Sequence, residues 1–323
     1  MNTPDMTLWQ GRIDSADGEL GQRWHQIIQA YDETAVTTPT IALLGFACDA
    51  GVARNHGRIG ARQGPTALRQ ALSNLPAQVD QYIVDAGNIE CDADALEVAQ
   101  QRYAQRITRL LEQNLFPIGL GGGHEIAYGT FQGLADHLST TVQPKIGIIN
   151  LDAHFDLRAD EKASSGTPFR QIAQDCTQRG WDFNYCCLGV SEFSNTQALF
   201  KRASDLNVTW RRDEDMSIRH IDETLAILNT FINRVDTLYL TLCLDVLPAA
   251  IVPGVSAPAA HGVPIEVIEA LVDAVCQSGK LKVFDIAELN PSFDVDNRSA
   301  RVGARMVARV AKHMMANPDD HDL

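Results

Sequence analysis

Short apolar runs alternate with longer amphipathic segments from about residue 40 to the end of the chain. Several runs are almost continuous in Ile, Val and Leu, which is typical of strands buried on both faces of a sheet. The predicted strands are residues 40–46, 81–85, 116–120, 145–151, 183–190, 207–211, 237–245 and 280–288. The predicted helices, which have apolar residues at helical spacing, are residues 94–114, 217–234, 264–277 and 299–317.

This alternation predicts an α/β fold with three layers, α/β/α, in which helices cover both faces of a central, mostly parallel sheet. No internal repeat, low-complexity tract or Pro/Ser-rich linker divides the chain. We therefore expect one domain over residues 1–323, with residues 1–39 as an N-terminal extension.

Composition excludes several classes of protein. The 323 residues are 45% hydrophobic and 21% charged, as in ordinary globular proteins, and the net charge is −14. Without a dense Lys/Arg block, neither nucleic acid nor an anionic membrane is an expected partner. The first nine residues lack the basic and apolar regions of a signal peptide. Seven cysteines without a Cys-x-x-Cys pair indicate reduced thiols, and we expect a cytoplasmic location.

Candidate chemistry lies at the ends of three predicted strands. Asp152, His154 and Asp156 alternate after one strand, and they would share a side if the extended path continued. His124 follows three glycines, which allow close backbone approach and positive φ, and Cys243 and Asp245 end a third strand. Ligands of open α/β sheets bind at this edge, and these side chains suit a divalent ion. A solvated acidic loop is the alternative for any one motif alone.

These segments resemble, in order, the signatures of the ureohydrolase family, which includes arginase, agmatinase and formimidoylglutamase. The family motifs are Gly60-Ala-Arg62-Gln-Gly64-Pro65, Gly-Gly-Gly-His124-Glu, Asp152-Ala-His154-Phe-Asp156, Cys243-Leu-Asp245 and Asp285-Ile-Ala-Glu288-Leu-Asn-Pro291. Further segments resemble the formimidoylglutamase subfamily, at residues 9–12, 45–52, 156–158, 164–169, 253–258 and 290–294.

The resemblance implies an arginase-like fold and the hydrolysis of N-formimidoyl-L-glutamate to L-glutamate and formamide in histidine degradation. It also implies two Mn²⁺ ions per chain that activate the attacking water. His124 and Asp156 would hold one ion, His154 and Asp245 the other, and Asp152 would bridge them. Symmetric assemblies are common in the family, which leaves a homo-oligomer open.

Cys243 departs from the family pattern, because most members have a second bridging Asp at this position. A thiolate is softer than a carboxylate and favours zinc or iron over manganese. The thiolate could bridge the ions or weaken one site. A small buried apolar residue is the alternative interpretation, so the identity and occupancy of the metals stay open.

The remaining roles also follow from the resemblance. Asp156 would relay a proton to the leaving amine, and Glu288 would hold the amidinium-like end of the substrate. The two substrate carboxylates require cations or donors. Arg158 is the main candidate, Ser165 and Thr167 are candidate hydrogen-bond donors, and Arg58 and Arg62 are weaker candidates.

Two other functions stay open. Another ureohydrolase would release urea from a guanidino acid or agmatine. The histidine expected of arginases within the run at residues 165–169 is absent, which argues against arginase activity. A non-catalytic member, which lost one metal through Cys243, would bind a small molecule without turnover.

Overall fold

The computed structural model describes residues 4–34, 41–77 and 82–315. Within these ranges nine strands form one sheet, and every pair of neighbouring strands in it is parallel. The strands are β1 Gln29–Ala30, β2 Ile41–Ala47, β3 Ile83–Glu90, β4 Phe116–Leu120, β5 Ile146–Leu151, β6 Asn184–Val190, β7 Thr209–Arg212, β8 Thr237–Cys243 and β9 Leu281–Ala287. Their order across the sheet is β1-β3-β2-β4-β9-β8-β5-β6-β7.

Helices cover both faces of the sheet. They are α1 Trp24–Ile27, α2 Ala50–Arg54, α3 Gly64–Ser73, α4 Leu96–Glu112, α5 Ile126–His137, α6 Pro168–Arg179, α7 Gln197–Asp205, α8 Ile221–Ile232, α9 Ile265–Gln277 and α10 Arg298–Met315. One apolar core lies beneath α3, α8, α9 and α10, and a second lies beneath α4, α5, α6 and α7. The predicted three-layer α/β/α fold is therefore confirmed.

Successive side chains of the central strands enter the two cores in turn, as the two-residue period of a strand requires. In β8, Leu238 and Leu240 belong to the first core, whereas Tyr239 belongs to the second. Burial on both faces explains why these strands read as nearly continuous apolar runs.

The eight predicted strands are present, and β4 has the predicted bounds. The two-residue edge strand β1 was not predicted, nor were α1, α2, α3, α5, α6 and α7. The helix α5 is buried over most of its length, so it lacks the polar stripe that reveals a helical period. The predicted strand starts at residues 40 and 81, and the predicted helix end at residue 317, lie outside the described residues.

The described part of the predicted N-terminal extension packs against the sheet. Trp9 is buried, and its Nε1–H donates to Asp85 Oδ2 on β3 at 2.8 Å. Arg69 of α3 forms a buried, two-pronged ion pair with the same carboxylate, with both N–O distances at 2.7 Å. Trp24 is also buried, and β1 pairs with β3. These contacts attach residues 4–34 to the sheet edge.

All seven cysteines lie in the described part of the chain, and each is buried and unpaired. Among the described helices, none combines the length and the apolar character needed to cross a bilayer.

The strand order brings four strands side by side at the centre of the sheet. The chain completes β4 and then crosses to β5, leaving a gap that β8 and β9 fill later. The register aligns Leu120, Ile286, Leu242 and Leu151 in one row across these strands. The residues just beyond this row therefore leave the carboxyl edge of the sheet together, where open α/β sheets bind ligands.

Candidate metal centre

The candidate site begins one residue beyond the aligned row of strand ends. Gly121, Asp152, Cys243 and Ala287 are the next residues of β4, β5, β8 and β9 or of the segments that follow them. The candidate ligand and substrate-binding side chains therefore come from four neighbouring strands. Some of them, such as His124 and Glu288, are far apart in the sequence.

The three glycines before His124 are required by close packing. A Cβ atom on Gly122 would lie 1.8 Å from the Cys48 carbonyl oxygen, and one on Gly121 would lie 2.4 Å from the Ile286 oxygen. Neither glycine has a positive φ. Close backbone approach is therefore the reason for glycine at both positions, and it lets the loop carry His124 into the sheet edge.

The segment after β5 turns instead of continuing as a strand. The strand ends at Leu151, and Asp156 has a φ of 47°. The extended path, on which strand alternation of Asp152, His154 and Asp156 depended, therefore does not continue. The turn nevertheless directs all three towards the cluster, and the His154 N–H donates to Asp152 Oδ1 at 2.7 Å.

Asp152 is shared by two groups of side chains. Its Oδ2 lies 2.9 Å from His124 Nδ1, and its Oδ1 lies 3.4 Å from His154 Nδ1. Asp156 Oδ2 lies 3.0 Å from His124 Nδ1, and Asp245 Oδ2 lies 3.3 Å from His154 Nδ1. Asp152 thus stands between a His124–Asp156 half and a His154–Asp245 half.

Cys243 lies in the first half. Ligand atoms of His124, Asp152 and Cys243 lie within 4.8 Å of one another, as do those of Asp152, His154 and Asp245. Two ligand atoms that are each about 2.1 Å from one ion and at right angles to each other lie about 3 Å apart. The donor spacing around Asp152 therefore fits divalent cations.

Unsatisfied buried atoms also fit metal binding. Asp245 Oδ1 is buried without a hydrogen-bond partner in the described part of the chain, and His124 Nδ1 makes no hydrogen bond of good geometry there although oxygens of Asp152 and Asp156 lie close to it. Buried polar atoms are normally hydrogen-bonded, so each exception requires an explanation. A cation held by these atoms would satisfy both.

The electrostatics of the cluster are dominated by its carboxylates. Burial lowers the pKa of His124, but Asp152 and Asp156 outweigh this effect and raise it well above its ordinary value. Burial likewise raises the pKa of Asp152, yet the two facing imidazoles outweigh it and lower that pKa. Burial, reinforced by Asp152, raises the pKa of Asp156. The site is therefore strongly attractive to positive charge.

Glu288 follows β9 and faces the same cluster. Its Oε1 accepts the backbone N–H of His124 at 2.8 Å, and its Oε2 is buried without a partner among the described residues. Burial raises the pKa of Glu288 to about 8, and Glu125 and Asp245 act in the same direction. Its φ of 69° is rare for a residue with a long side chain. Such outliers occur at functional sites.

The cluster lies at the base of a cleft of about 320 Å³. The cleft is lined by Asn55, His56, Gly57, Arg58, His124, His154, Asp156, Arg158, Ser165, Ser194, Asn195, Leu199, Cys243, Asp245, Ser256, Ala257 and Glu288. Nine of the ten residues predicted for the site belong to this lining or to the cluster beneath it, and Thr167 is the exception. A cleft of this size accommodates a small-molecule substrate.

Arg158 reaches the cleft without an acidic partner among the described residues, and its side chain is exposed. Its backbone N–H donates to the Gly166 carbonyl oxygen at 2.8 Å. A Cβ atom on Gly166 would lie 2.6 Å from Arg158 Cδ and 2.9 Å from its Nε. The absence of a side chain at residue 166 therefore leaves room for the Arg158 side chain.

Thr167 does not reach the cleft. It is fully buried, and its hydroxyl donates to the Ser164 carbonyl oxygen and accepts the Ser164 N–H. These contacts, and a further one to Gln171 at 2.8 Å, commit the hydroxyl to the turn that begins α6. Thr167 is therefore absent from the lining of the cleft. Ser165 does line the cleft, where Asn55 Nδ2 donates to its Oγ at 3.2 Å.

The two weaker arginine candidates have other partners. Arg58 lines the cleft, but its guanidinium donates to the carbonyl oxygens of Ser256 and Val255 and lies over the Phe293 ring, 4.0 Å from the ring centroid. Arg62 forms an ion pair with Glu90 at 3.6 Å. Arg58 thus ties two loops together, and its charge is less available to a ligand than that of Arg158.

Several lining residues were not predicted. His56, interpreted from sequence as surface or structural, lies at the cleft with a φ of 58°. Asn55, Asn195 and Ser256 also line it. Polar residues in loops carry no periodic signal, so only their position beside the cleft identifies them.

A model of the arginase family matches residues 39–312. The chain is 57% identical over 308 residues to a formimidoylglutamase of Ralstonia nicotianae, covering 95% of each chain. It is 51% identical over 308 residues to a formimidoylglutamase of Aeromonas salmonicida, covering 95% of this chain and 98% of the relative.

Solved structures show the same fold. The formimidoylglutamase of Bacillus subtilis superposes with a TM-score of 0.81 at 23% identity, covering 92% of this chain and 93% of that one. The formiminoglutamase of Trypanosoma cruzi with Mn²⁺ superposes with a TM-score of 0.79 at 23% identity, covering 92% of this chain and 99% of that one.

Proposed function

The chain belongs to the arginase family, and we propose that it hydrolyses N-formimidoyl-L-glutamate to L-glutamate and formamide. Relatives named formimidoylglutamase share 57% and 51% of its residues over nearly the whole chain, which supports this activity. Two observations carry the proposal. Asp152 is shared by two groups of side chains that could each hold a cation, and Arg158, which has no acidic partner among the described residues, lines the same cleft.

The proposed cofactor is a pair of Mn²⁺ ions. His124 and Asp156 would hold one, His154 and Asp245 the other, and Asp152 both. Such a pair supplies Lewis acidity, which lowers the pKa of water enough to give hydroxide near neutral pH.

Cys243 adds a soft donor to an otherwise hard site. Burial, followed by the charges of Asp152 and Asp245, raises the pKa of its thiol well above the ordinary value. Only the thiolate binds metals well, so cation binding at this position must release a proton. We expect metal binding to depend on pH more steeply than with an aspartate at this position.

We expect substrate recognition to use the opposite charges of Glu288 and Arg158, which line the same cleft. Glu288 Oε2, which lacks a partner in the described residues, would accept an N–H of the formimidoyl group. Arg158 would bind a substrate carboxylate, and the Ser165 hydroxyl would donate to one. This arrangement favours an acidic substrate over the cationic agmatine.

The reaction adds hydroxide to the formimidoyl carbon and breaks the bond from that carbon to the glutamate nitrogen. The nitrogen leaves as an amine after it takes a proton, and the remainder leaves as formamide. Asp156 is the proposed proton carrier, because its carboxylate lines the cleft beside the other candidate ligands, and a positioned carboxylate can transfer a proton to a leaving group.

The assay that tests this function measures formamide and glutamate from N-formimidoyl-L-glutamate before and after chelation and Mn²⁺ reloading. Arginine and agmatine serve as parallel substrates, with urea as their product. Mn²⁺-dependent formamide and glutamate support the proposal. Urea from either parallel substrate would favour another ureohydrolase, and bound metal without turnover of any substrate would favour a binding protein.

The proposed biological role of this hydrolysis is in histidine degradation in the cytoplasm.

A further inference from the structure

A row of buried polar residues lies directly beneath the candidate metal centre. One residue before the aligned strand ends, the register places Asp285 beside Thr241 and Thr241 beside Asn150. All three side chains are fully buried. Apolar residues occupy most other positions of these strands, so this row departs from the pattern of the core.

Thr241 contacts the histidine that follows the glycine loop. Its Oγ1 lies 3.1 Å from His124 Nε2, while His124 Nδ1 faces the oxygens of Asp152 and Asp156. A neutral imidazole carries one N–H, and the nitrogen that binds a cation must be the one without hydrogen. With Nδ1 turned to the cluster, Nε2–H donates and Thr241 Oγ1 accepts.

Asp285 lies beside Thr241 on the neighbouring strand β9. Its Oδ2 accepts the Thr130 hydroxyl at 2.5 Å and the Tyr239 hydroxyl at 2.7 Å. Its Oδ1 is buried without a partner among the described residues. The Thr241 hydroxyl accepts from His124, so its own hydrogen remains to be donated to an oxygen of Asp285 on the neighbouring strand.

We propose that Thr241 and Asp285 are positioning residues, which hold the ring orientation and tautomer of His124 for cation binding. Metal-binding histidines commonly donate their second N–H to a group of this kind, and removal of that group weakens metal binding about 10- to 100-fold. The inference rests on the proposed function, because it requires that the site binds divalent ions.

The competing explanation is that Thr241 only fills space in the strand. Thr241→Val keeps the branched shape but removes the hydroxyl, whereas Thr241→Ser keeps the hydroxyl and loses a methyl group. Thr224→Val is the matched control. Thr224 is also a fully buried threonine, its hydroxyl donates to the His220 carbonyl oxygen at 2.9 Å, and it does not line the cleft.

The experiment titrates each purified, metal-free full-length variant with Mn²⁺ and follows the paramagnetic resonance signal of the free ion. Melting temperatures of the metal-free proteins are measured alongside. We expect Thr241→Val to weaken the affected binding step by about 10- to 100-fold. Thr241→Ser and Thr224→Val should bind Mn²⁺ as the parent does, even where their melting temperatures fall.

Equal Mn²⁺ affinity of Thr241→Val and the parent would overturn the inference and leave the proposed function intact. An equal loss in Thr241→Val and Thr241→Ser would also overturn it, because packing would then be the cause. If the parent itself binds no divalent ion, the proposed function and this inference fail together. If Thr241→Val does not fold, Asp285→Asn provides the same comparison, and unchanged affinity in that variant overturns the inference.

Discussion

Replacement of Arg158 by alanine tests the substrate assignment most directly. The guanidinium lines the cleft, is exposed, and has no acidic partner within the described ranges. The positive charge of Arg158 is therefore available to a substrate carboxylate. The planar guanidinium can bind both carboxylate oxygens through two parallel hydrogen bonds.

The size of the effect follows from the kind of contact. A hydrogen bond between charged groups contributes about 1.5–3 kcal/mol, and solvent access places Arg158 near the lower end. Since about 1.4 kcal/mol corresponds to a tenfold change in an equilibrium constant, we expect a roughly tenfold rise in KM. A substrate carboxylate takes no part in the bond changes, so its contact with Arg158 should be the same in the ground and transition states and kcat should change little.

Initial rates of formamide release, measured over a range of N-formimidoyl-L-glutamate concentrations at saturating Mn²⁺, give KM and kcat separately. Arg158→Lys keeps the charge but loses the fork, and its KM should fall between those of the parent and Arg158→Ala. Arg219→Ala is the control, because Arg219 is exposed and does not line the cleft. An unchanged KM in a folded Arg158→Ala variant would refute the reasoning and assign the carboxylate to another residue.

Four further changes have defined outcomes. Asp152→Ala should abolish Mn²⁺ binding and turnover, because its two oxygens face both histidines; near-normal turnover would remove the metal hypothesis. Cys243→Asp should retain activity and bind Mn²⁺ more tightly in the same titration, because a carboxylate is the harder ligand, and a folded but inactive variant would show that the thiolate has a specific role. Gly166→Ala should raise KM less than Arg158→Ala does, because the new Cβ displaces a flexible side chain, whereas an unchanged KM would contradict this. Arg69→Ala should lower the free energy of unfolding by about 3–5 kcal/mol, because it leaves a buried carboxylate unpaired; urea unfolding measures the change, and a loss below about 1 kcal/mol would contradict it.

The apolar pattern predicted the strands of the sheet because burial on both faces requires continuous apolar runs. The predicted run at residues 116–120 matches β4, and the predicted residues 145–151 differ from β5 by one residue. The same logic failed for α5, because a helix buried over most of its surface has no polar face. The edge strand β1 has only two residues, too few to show alternation.

Residue type and position after a strand identified the metal-ligand candidates before any geometry was known. His124, Asp152, His154, Asp156 and Asp245 carry donor atoms that cations prefer, and each follows an apolar run. This part of the site could be predicted from the sequence because few residue types supply such ligand atoms and because parallel strands end at a common edge of the sheet.

Tertiary structure alone decided which of these side chains meet and which do not. In the sheet, β8 and β9 lie between β4 and β5. Packing between distant parts of the chain sets this order, and a local sequence pattern does not reveal it. A turn with positive φ, and not strand alternation, directs Asp156. Thr167 lies two residues after the cleft-lining Ser165, but its hydroxyl is bonded within the turn that begins α6. Thr241 became a candidate only because its hydroxyl lies 3.1 Å from His124 Nε2, although the two residues are far apart in the sequence. Sequence determines which groups are chemically able to act, whereas distances and burial, which depend on contacts between residues far apart in the chain, determine which of them can act together.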